Sequence, residues 1–270
     1  MIASNIVAIT GAAGYLGRLT RRHLSRPSRQ LKLLDIADMG PAGERETLIR
    51  SSLTDADAVA RLVTDADVVV HLAADLSVDD WAGVLASNLE GTYNVYEAAR
   101  AAGVKRIVFA SSHHIAGMYP SRVVTDTLAP HRPDSLYGLS KGFGEDLGQY
   151  YWDKFGLESV ALRIGSARPA PIDPRERYTW LSEPDYCRLI DACLTAPRVG
   201  FTPVWGVSAN DGVWWDNRHA AHLGFAPQDN AGDHMPAPAP LDAAAERLLV
   251  YQGGKRSLYR LAESADERLA

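Results

Sequence analysis

The chain has 270 residues, of which 46% are hydrophobic and 23% are charged, so its composition excludes a disordered protein and allows a large buried core. Its 28 basic and 33 acidic residues leave a net charge of −5 without blocks of like charge, which gives no indication of nucleic acid or an anionic membrane as partner. Cys187 and Cys193 fit neither a disulfide framework nor a metal-binding spacing, and we expect both to be buried thiols in a reducing compartment. No segment has the pattern of a signal peptide or a membrane span, so we expect a cytoplasmic protein with a small-molecule partner.

The first predicted strand leads into a glycine-rich turn. Ile6–Thr10 is a short β-branched run typical of a buried parallel strand, and Gly11, Gly14 and Gly17 follow it as G-x-x-G-x-x-G before a helix. In such a turn the first glycine allows the tight bend, the second lets the backbone approach a pyrophosphate, and the third permits close packing of helix on strand. The helix N-terminus then faces the phosphates. This context favours a dinucleotide site over a flexible surface loop.

The second predicted strand, residues 31–34, ends at Asp35. This acid follows the glycines at the offset of about 20 residues expected for a carboxylate that hydrogen-bonds the adenosine ribose, although a helix cap or a surface turn is the alternative. Ile36 and Ala37 come next, without a cation to neutralise a 2′-phosphate. We therefore expect NAD rather than NADP as the cofactor.

The rest of the chain alternates between strand and helix patterns. Further strands are predicted at 47–51, 68–72, 106–110 and 159–164, and helices at 54–63, 81–102, 183–194 and 242–250, with another around 137–141. Residues 235–240 are expected to form an extended linker, and the tail after Gly254 to be loosely ordered. His71 is predicted to be a packed strand histidine, and Trp205, Trp214 and Trp215 are predicted to pack rather than to form a platform for a sugar.

Polar residues follow the strand at 106–110. Ser111, Ser112, His113 and His114 are delivered to the carboxyl end of the sheet, where ligands bind in open parallel α/β folds. Adjacent residues leaving a strand point in opposite directions, and no carboxylate or cysteine cluster accompanies the two histidines. We therefore expect no metal site here.

Tyr137 and Lys141 are four residues apart, so on a helix they lie on one face, one turn from each other. The unperturbed pKa of a tyrosine phenol is about 10, and a neighbouring ammonium favours its ionised form. Such a pair makes a base that works nearer neutral pH. Alone, the spacing also fits two residues that merely share a helix surface.

Taken together, the glycine turn, the acid after the second strand, Ser112 and the Tyr137/Lys141 pair resemble the extended short-chain dehydrogenase/reductase family. That likeness covers about the first 165 residues, and a closer likeness to the uronate dehydrogenases within this family continues to the C-terminus. The segments that carry it are residues 11–18, 108–112, 132–138, 153–156, 163–166, 204–211, 214–217 and 251–254.

The resemblance implies an α/β fold, a Rossmann-type doubly wound parallel sheet with a small C-terminal substrate-binding lobe. Residues 1–165 would form the NAD-binding domain that carries the Ser/Tyr/Lys site, and residues 166–270 the substrate-binding region and the C-terminal tail. Long helices that pair across a two-fold axis in the wider family imply a homo-oligomer.

The resemblance also assigns roles to individual residues. Tyr137 would be the general base, Lys141 would hold the nicotinamide ribose and lower the pKa of the tyrosine, and Ser112 would hydrogen-bond the reacting hydroxyl. The implied cofactor-binding residues are Gly11, Gly14, Tyr15, Leu16, Gly17, Asp35, Ser52, Leu53, Leu72, Ala73, Ala74, Asn88, Tyr137, Lys141 and Ala167. The implied substrate-binding residues are Ser77, Ser112, His113, His114, Ser166 and Arg175.

Arg175 aligns with the arginine that contacts the sugar acid in uronate dehydrogenases, and a guanidinium suits bidentate recognition of a carboxylate. Arg168 and Arg177 compete for this role. Two positions depart from the family pattern: His113 stands where the uronate enzymes have asparagine, and Ser52 stands where they have an acid. The first departure is expected to alter which sugar hydroxyl is held, and the second to weaken a contact with adenine.

The implied reaction is the NAD-dependent oxidation of the anomeric hydroxyl of a hexuronate, such as glucuronate or galacturonate, to the aldarolactone. One alternative is a nucleotide-sugar epimerase or dehydratase, but such enzymes usually have a larger C-terminal domain than the roughly 100 residues after Ser166 allow. A regulator that senses NAD without turnover is a further alternative, and such a protein would have no need of a base.

Overall fold

A computed structural model describes residues 5–235 and 242–262 of the chain. Its strands are β1 (Ile6–Thr10), β2 (Gln30–Asp35), β3 (Glu46–Arg50), β4 (Val68–His71), β5 (Arg106–Phe109), β6 (Thr125–Asp126), β7 (Glu158–Ile164), β8 (Ser166–Ala167), β9 (Trp180–Leu181), β10 (Phe201–Gly206) and β11 (Trp215–Asp216). Its α-helices are α1 (Tyr15–Leu24), α2 (Ala56–Val63), α3 (Trp81–Val84), α4 (Gly91–Ala101), α5 (Leu136–Phe155), α6 (Glu176–Thr179), α7 (Glu183–Thr195), α8 (Ala243–Leu248) and α9 (Lys255–Leu258). A π-helix spans Leu85–Glu90, and 3₁₀ turns span His113–Ala116, Arg218–Leu223 and Ala231–Asp233.

Seven strands form one parallel sheet in the order β10-β7-β5-β4-β1-β2-β3. The strand order reverses between β1 and β4, and in open α/β sheets the crevice at the carboxyl ends beside such a reversal binds ligands. The predicted doubly wound parallel sheet is confirmed.

The two faces of the sheet are covered by different helices because successive strand residues point to opposite sides. On β1, Val7 and Ile9 belong to the core shared with α1 and α7, whereas Ala8 belongs to the core shared with α2, α4 and α5. All three side chains are fully buried. Burial on both faces explains why the strands are continuous apolar runs rather than alternating ones.

The helical segment predicted at 81–102 is interrupted by the π-helix between α3 and α4. A π-turn accommodates an extra residue and is often found at functional positions. Here it contains Asn88, whose amide reaches the backbone of Asp75 and the hydroxyl of Ser140 on α5. The irregular turn therefore ties the loop after β4 to the helix that carries Tyr137.

Residues beyond position 165 contribute to both the sheet and the C-terminal lobe. The strand β10 pairs with β7, while two small sheets, β6 with β11 and β8 with β9, lie outside the central sheet, and β6 comes from before residue 165. Trp205 and Trp215 stack there with ring centroids 4.9 Å apart, and Trp214 is also buried, so the predicted packing of these rings is confirmed. The division into two domains at residue 165 stays a proposal.

Three other expectations meet the structure differently. Cys193 is buried, but Cys187 is only partly buried, so the prediction of two buried thiols is wrong for Cys187. The tail after Gly254 is not loosely ordered throughout, since Lys255–Leu258 form α9, whereas residues 263–270 lie outside the described part of the chain. The predicted linker also falls outside it, except for Met235.

Within the described ranges, no helix combines the length and the apolar character that crossing a bilayer requires.

The close approach of α5 to the sheet generates a stability prediction. A Cβ at Gly144 would overlap the buried ring of Phe109 on β5, whereas a Cβ at Gly142 would lie 3.0 Å from Nδ1 of His131, a tight contact with a side chain that is 30% exposed. We expect Gly144→Ala to lower the free energy of unfolding by about 2 kcal/mol through overpacking. Urea unfolding measures this, with Gly142→Ala as the control because both changes gain the same helix propensity, about 1 kcal/mol. Equal stability of the two variants would contradict the predicted contact.

Candidate active site

A cavity of about 800 Å³ lies where the strands of the central sheet end. Its lining includes all three predicted catalytic residues, Ser112, Tyr137 and Lys141. It also includes the predicted cofactor residues Gly11, Gly14, Tyr15, Leu16, Gly17, Asp35, Ser52, Leu53, Leu72, Ala73, Ala74 and Ala167, and the predicted substrate residues His113, His114, Ser166 and Arg175. The cavity therefore unites residues from the first and middle thirds of the chain.

Two predicted site residues, Asn88 and Ser77, do not line this cavity. Asn88 is 2% exposed, and its amide accepts from the Asp75 N–H at 2.7 Å and donates to the Asp75 carbonyl and to Ser140 at 2.8 and 2.9 Å. The Ser77 N–H donates to the Asp75 carboxylate. Both residues thus shape the loop that borders the cavity, and Asp75 itself lines it.

The glycine turn presents bare backbone to the cavity. Gly11 has φ +70°, and a Cβ there would lie 2.6 Å from the Ala73 nitrogen, while a Cβ at Gly17 would overlap the Gly11 carbonyl. Gly14 caps α1 without any side-chain hydrogen bond, and the first turn of α1 carries no acid. The N–H groups at this helix end are therefore available to an anion, as a pyrophosphate requires.

Asp35 lies at the far end of the cavity and is tied to the glycine turn. Its carboxylate accepts from the backbone N–H groups of Ala13 and Ala37, each at 2.9 Å. Ser52 lines the same end, and its hydroxyl lies 2.9 Å from that of Thr54. These contacts fix the orientation of Asp35 and leave the remaining lone pairs of its oxygens for a ribose hydroxyl.

Tyr137 stands in the first turn of α5, where Ser135 caps the helix by accepting from the Gly138 N–H at 3.1 Å. Burial raises the pKa of the Tyr137 phenol, while a hydrogen bond with Ser112 and the charge of Arg256 lower it. The Ser112 oxygen also accepts from the His114 N–H at 3.2 Å. Since that leaves the serine proton free to be donated, Ser112 can stabilise an oxygen anion beside it.

Lys141 is 3% exposed, and its ammonium lies 5.4 Å from the ring centroid of Tyr137 and 4.9 Å from that of Phe109. Burial lowers the pKa of Lys141 to about 7. Much of its population is therefore uncharged at neutral pH, and a neutral amine does not stabilise a phenolate. The charge of Arg256 lowers the pKa of Tyr137, and the role of Lys141 in lowering it stays a prediction.

The two histidines lie side by side, with ring centroids 3.9 Å apart, so the expectation that they point in opposite directions is wrong. They belong to a 3₁₀ turn rather than to a strand, and the strict alternation of strand side chains does not hold there. His113 Nδ1 lies 2.9 Å from the Ile164 carbonyl, which can only accept, so Nδ1 carries the proton. His114 Nδ1 lies 2.6 Å from the Asp134 carboxylate.

Burial keeps both imidazoles neutral because it lowers the pKa of His113 and of His114 well below the ordinary value. Burial also raises the pKa of Asp134 to about 6, so this carboxylate is mostly ionised at neutral pH and accepts the His114 proton. Each ring then offers Nε2 as an acceptor. Two neighbouring acceptors suit the hydroxyl groups of a sugar.

Arg175 precedes α6 and reaches the cavity from the C-terminal side. Its two terminal nitrogens donate to the Gln252 carbonyl and to the Ser166 hydroxyl, each at 3.0 Å. Of its two competitors, Arg168 lies 3.0 Å from the Glu176 carboxylate, and Arg177 does not line the cavity. Arg175 is therefore the arginine whose charge is best placed for an anionic ligand.

Comparison with known proteins identifies the family. The model of the NAD dependent epimerase/dehydratase family matches residues 7–168. The chain belongs to the NAD-dependent epimerase/dehydratase family. This agrees with the group of dehydrogenases and reductases that the sequence motifs indicated.

Three relatives of this chain are informative. A uronate dehydrogenase of Pseudomonas syringae is 45% identical over 257 residues, which cover 93% of this chain and 92% of that protein. One from Pseudomonas putida is 46% identical over 255 residues, covering 93% and 94%. The crystal structure of a tyrosine-to-alanine mutant of uronate dehydrogenase from Agrobacterium tumefaciens, complexed with NAD, superposes with a TM-score of 0.86 at 43% identity, covering 94% of this chain and 97% of that one.

Arg256 lines the cavity, although the sequence interpretation gave it no role. Arg256, on α9, lies over Tyr137 with its Cζ 4.9 Å from the ring centroid. The preceding segment 251–254 had been singled out for its resemblance to uronate dehydrogenases, but no function followed from it. That resemblance was the available signal that the polar tail approaches the site.

The sequence predicts no metal site. Within residues 5–235 and 242–262, no three or more His, Cys, Asp or Glu side chains group in a way that could hold a metal ion.

The burial of Lys141 predicts a pH-dependent stability. Because the pKa of Lys141 is about 7 in the folded chain and about 10.4 in an unfolded one, the unfolded chain binds more protons between these values, and stability rises with pH there. Between pH 7 and 8.5 the wild type should gain about 2 kcal/mol that a Lys141→Met variant does not gain.

Urea unfolding of both proteins at the two pH values, without NAD, measures this difference. Lys154→Met, which removes an exposed lysine from the same helix, serves as the control and should keep the wild-type slope. An identical pH dependence in Lys141→Met and wild type would show that the ammonium is not desolvated.

Proposed function

We propose that this protein is an NAD-dependent dehydrogenase that oxidises the anomeric hydroxyl of a hexuronate, such as glucuronate or galacturonate, to the aldarolactone. The observation that carries the proposal is the meeting of Ser112, Tyr137 and Arg175 in one cavity with the glycine turn. The names of the relatives, uronate dehydrogenases at 45% and 46% identity over 93% of the chain, support the substrate class.

The cavity fits a dinucleotide. The uncapped start of α1 offers N–H groups to the pyrophosphate, Asp35 would accept from the adenosine ribose, and Lys141 would bond the nicotinamide ribose. NAD, when bound, supplies the acceptor for the hydride. Neutral residues, Ile36 and Ser52 among them, line the cavity around Asp35 and support NAD over NADP.

The proton of the reacting hydroxyl would pass to Tyr137. With substrate bound, Ser112 would donate its proton to the substrate oxygen in place of Tyr137 and hold that oxygen next to the phenolate, which gives general-base catalysis without a metal. Lys141 would keep the ribose in place rather than act as the main source of positive charge for Tyr137, since burial lowers its pKa to about 7.

Recognition of the sugar acid would depend on Arg175 and the two histidines. Arg175 donates to the Gln252 carbonyl, the Ser166 hydroxyl and, at 3.4 Å, the His113 Nε2, all of which are neutral, so its charge is available to the substrate carboxylate. The Nε2 atoms of His113 and His114 would accept from sugar hydroxyls. We also propose a cytoplasmic location, a homo-oligomer, and the division at residue 165 into cofactor and substrate regions.

A nucleotide-sugar epimerase or dehydratase is the second candidate, since the family contains both. The alignments cover 92% and 94% of the lengths of the uronate dehydrogenases. This agreement in length speaks against an epimerase or dehydratase, because such enzymes usually have a larger C-terminal domain. A regulator without turnover would not need the buried Tyr137 and Lys141, whose desolvation is costly.

A substrate assay tests the proposal. We expect NAD with glucuronate or galacturonate to give rising NADH absorbance, and Tyr137→Phe to lose at least about 10³-fold in kcat, as removal of a general base typically does, while NAD binding changes little. Activity on a nucleotide sugar, with none on either uronate, would favour the second candidate. A fully active Tyr137→Phe would exclude this residue as the base.

Replacement of Arg175 tests the anion site. Arg175→Ala should raise the KM for the uronate by about 10–100-fold, the loss expected for a charge-assisted contact of about 1.5–3 kcal/mol, with kcat less affected. Arg177→Ala is the matched control, since Arg177 lies two residues away outside the cavity, and should leave KM unchanged. Equal effects of the two variants would remove Arg175 from the substrate site.

A further inference from the structure

Arg256 occupies a position that the motif of Tyr137 and Lys141 does not predict. Its Cζ lies 4.9 Å from the ring centroid of Tyr137, and its side chain lines the same cavity. We propose that Arg256 is a positioning residue whose charge stabilises the phenolate form of Tyr137 and so keeps the base active near neutral pH. The proposal rests on the function proposed above and adds the tail of the chain to its catalytic machinery.

Arg256 lacks an ion-pair partner in the described part of the chain, and the charge of Asp134 acts on it only from a greater distance. In the part of the chain that the structure describes, Arg256 forms no ion pair with an Asp or Glu carboxylate, and its Nη1 is buried without a hydrogen-bond partner. By contrast, Arg163 pairs with Glu145 at 2.8 Å. A buried donor without a partner is costly, but it is ready for an anion that forms beside it. The anion that forms there during the reaction is the phenolate of Tyr137.

The other charged groups around Tyr137 do not supply this charge. Lys141 is partly uncharged at neutral pH because burial lowers its pKa to about 7. Asp134 raises the pKa of Tyr137, and the ring of His114, 5.9 Å away, is neutral. Burial also raises the pKa of Tyr137, so without Arg256 only the hydrogen bond with Ser112 would lower it.

The tail is anchored so that Arg256 stays in place. The Ser257 hydroxyl donates to the Gly117 carbonyl at 2.8 Å. Further along the chain, the Tyr259 hydroxyl donates to the Asp79 carboxylate at 2.6 Å, in the loop after β4. Before Arg256, the Gly253 N–H donates to the Gly117 carbonyl at 2.9 Å. Contacts on both sides of Arg256 therefore fix this segment beside Tyr137, as preorganised electrostatic stabilisation requires.

The size of the effect follows from the general effect of a nearby opposite charge on an acid. An opposite charge at about 4–6 Å shifts the pKa of an acid by about 1–3 units, and we take the lower end because Arg256 is partly exposed. Loss of the charge raises the pKa of Tyr137, so the rising limb of the pH profile moves to higher pH. Below the pKa, each unit of this shift lowers the rate at a given pH about tenfold.

The test compares pH profiles of kcat and kcat/KM for uronate oxidation in the full chain with saturating NAD. Arg256→Gln and Arg256→Met should both move the rising limb up by about one unit and cost about tenfold at pH 7. Arg256→Lys should restore most of the wild-type profile because it keeps the charge. Arg260→Gln is the matched control, since Arg260 lies over the ring of Tyr259 rather than that of Tyr137 and its side chain is 73% exposed. This variant should keep the wild-type profile.

A second measurement does not depend on turnover. The phenolate absorbance of each protein minus that of its Tyr137→Phe counterpart, followed against pH with NAD bound, titrates Tyr137 itself. The difference should appear at higher pH in Arg256→Gln than in wild type. A wild-type protein that oxidises no uronate would contradict the proposed function. This titration would still decide whether Arg256 lowers the pKa of Tyr137.

Either of two results would overturn the proposal. One is an unmoved pH profile and titration in Arg256→Gln and Arg256→Met, even with a higher KM, which would make Arg256 a substrate contact only. The other is an Arg256→Lys variant that behaves like Arg256→Gln, because the charge would then not be the cause. Thermal unfolding and NAD binding of every variant establish that the folded proteins are being compared, and Arg256→Met takes the place of Arg256→Gln if that variant does not fold.

Discussion

Removal of water from one phenol and one ammonium constrains the whole site. Tyr137 is 9% exposed and Lys141 is 3% exposed, and burial disfavours the charged form of each. It raises the pKa of the phenol and lowers that of the ammonium to about 7, so the two values move apart. The close approach of α5 to β5, where Gly144 meets Phe109, produces this burial.

The network beneath the site explains why Lys141 has no acidic partner to restore its charge. Glu145 follows Lys141 by one helical turn, but its carboxylate binds Arg163 at 2.8 Å and accepts from Ser111 at 2.5 Å. These contacts satisfy the buried acid locally. Lys141 is left with the faces of Phe109 and Tyr137, and cation–π contacts of this kind stabilise an ammonium less than a carboxylate would. Stabilisation of the Tyr137 phenolate would therefore depend on a second cation.

Local patterns predicted the sheet well because each strand is buried on both faces and reads as a β-branched run, as in Ile6–Thr10 and Val68–His71. His71 was predicted as a packed strand histidine, and it is 1% exposed between Thr10 and Thr92. The contact of Arg256 with Tyr137 has no local signature, since it joins residues far apart in the chain. The π-turn at Asn88 and the stacking of the two histidines depend likewise on tertiary packing.

The departure at His113 has a definite consequence for substrate selection. An amide offers both donor and acceptor, but His113 commits its proton to the Ile164 carbonyl and offers Nε2 alone, as an acceptor. In the structure this atom lies 3.4 Å from a terminal nitrogen of Arg175. A substrate carboxylate bound to Arg175 would draw the guanidinium toward itself and leave Nε2 to accept from a neighbouring sugar hydroxyl. Discrimination between epimers at that hydroxyl would then depend on an acceptor-only contact, in which the wrong epimer leaves a buried nitrogen without its hydrogen bond.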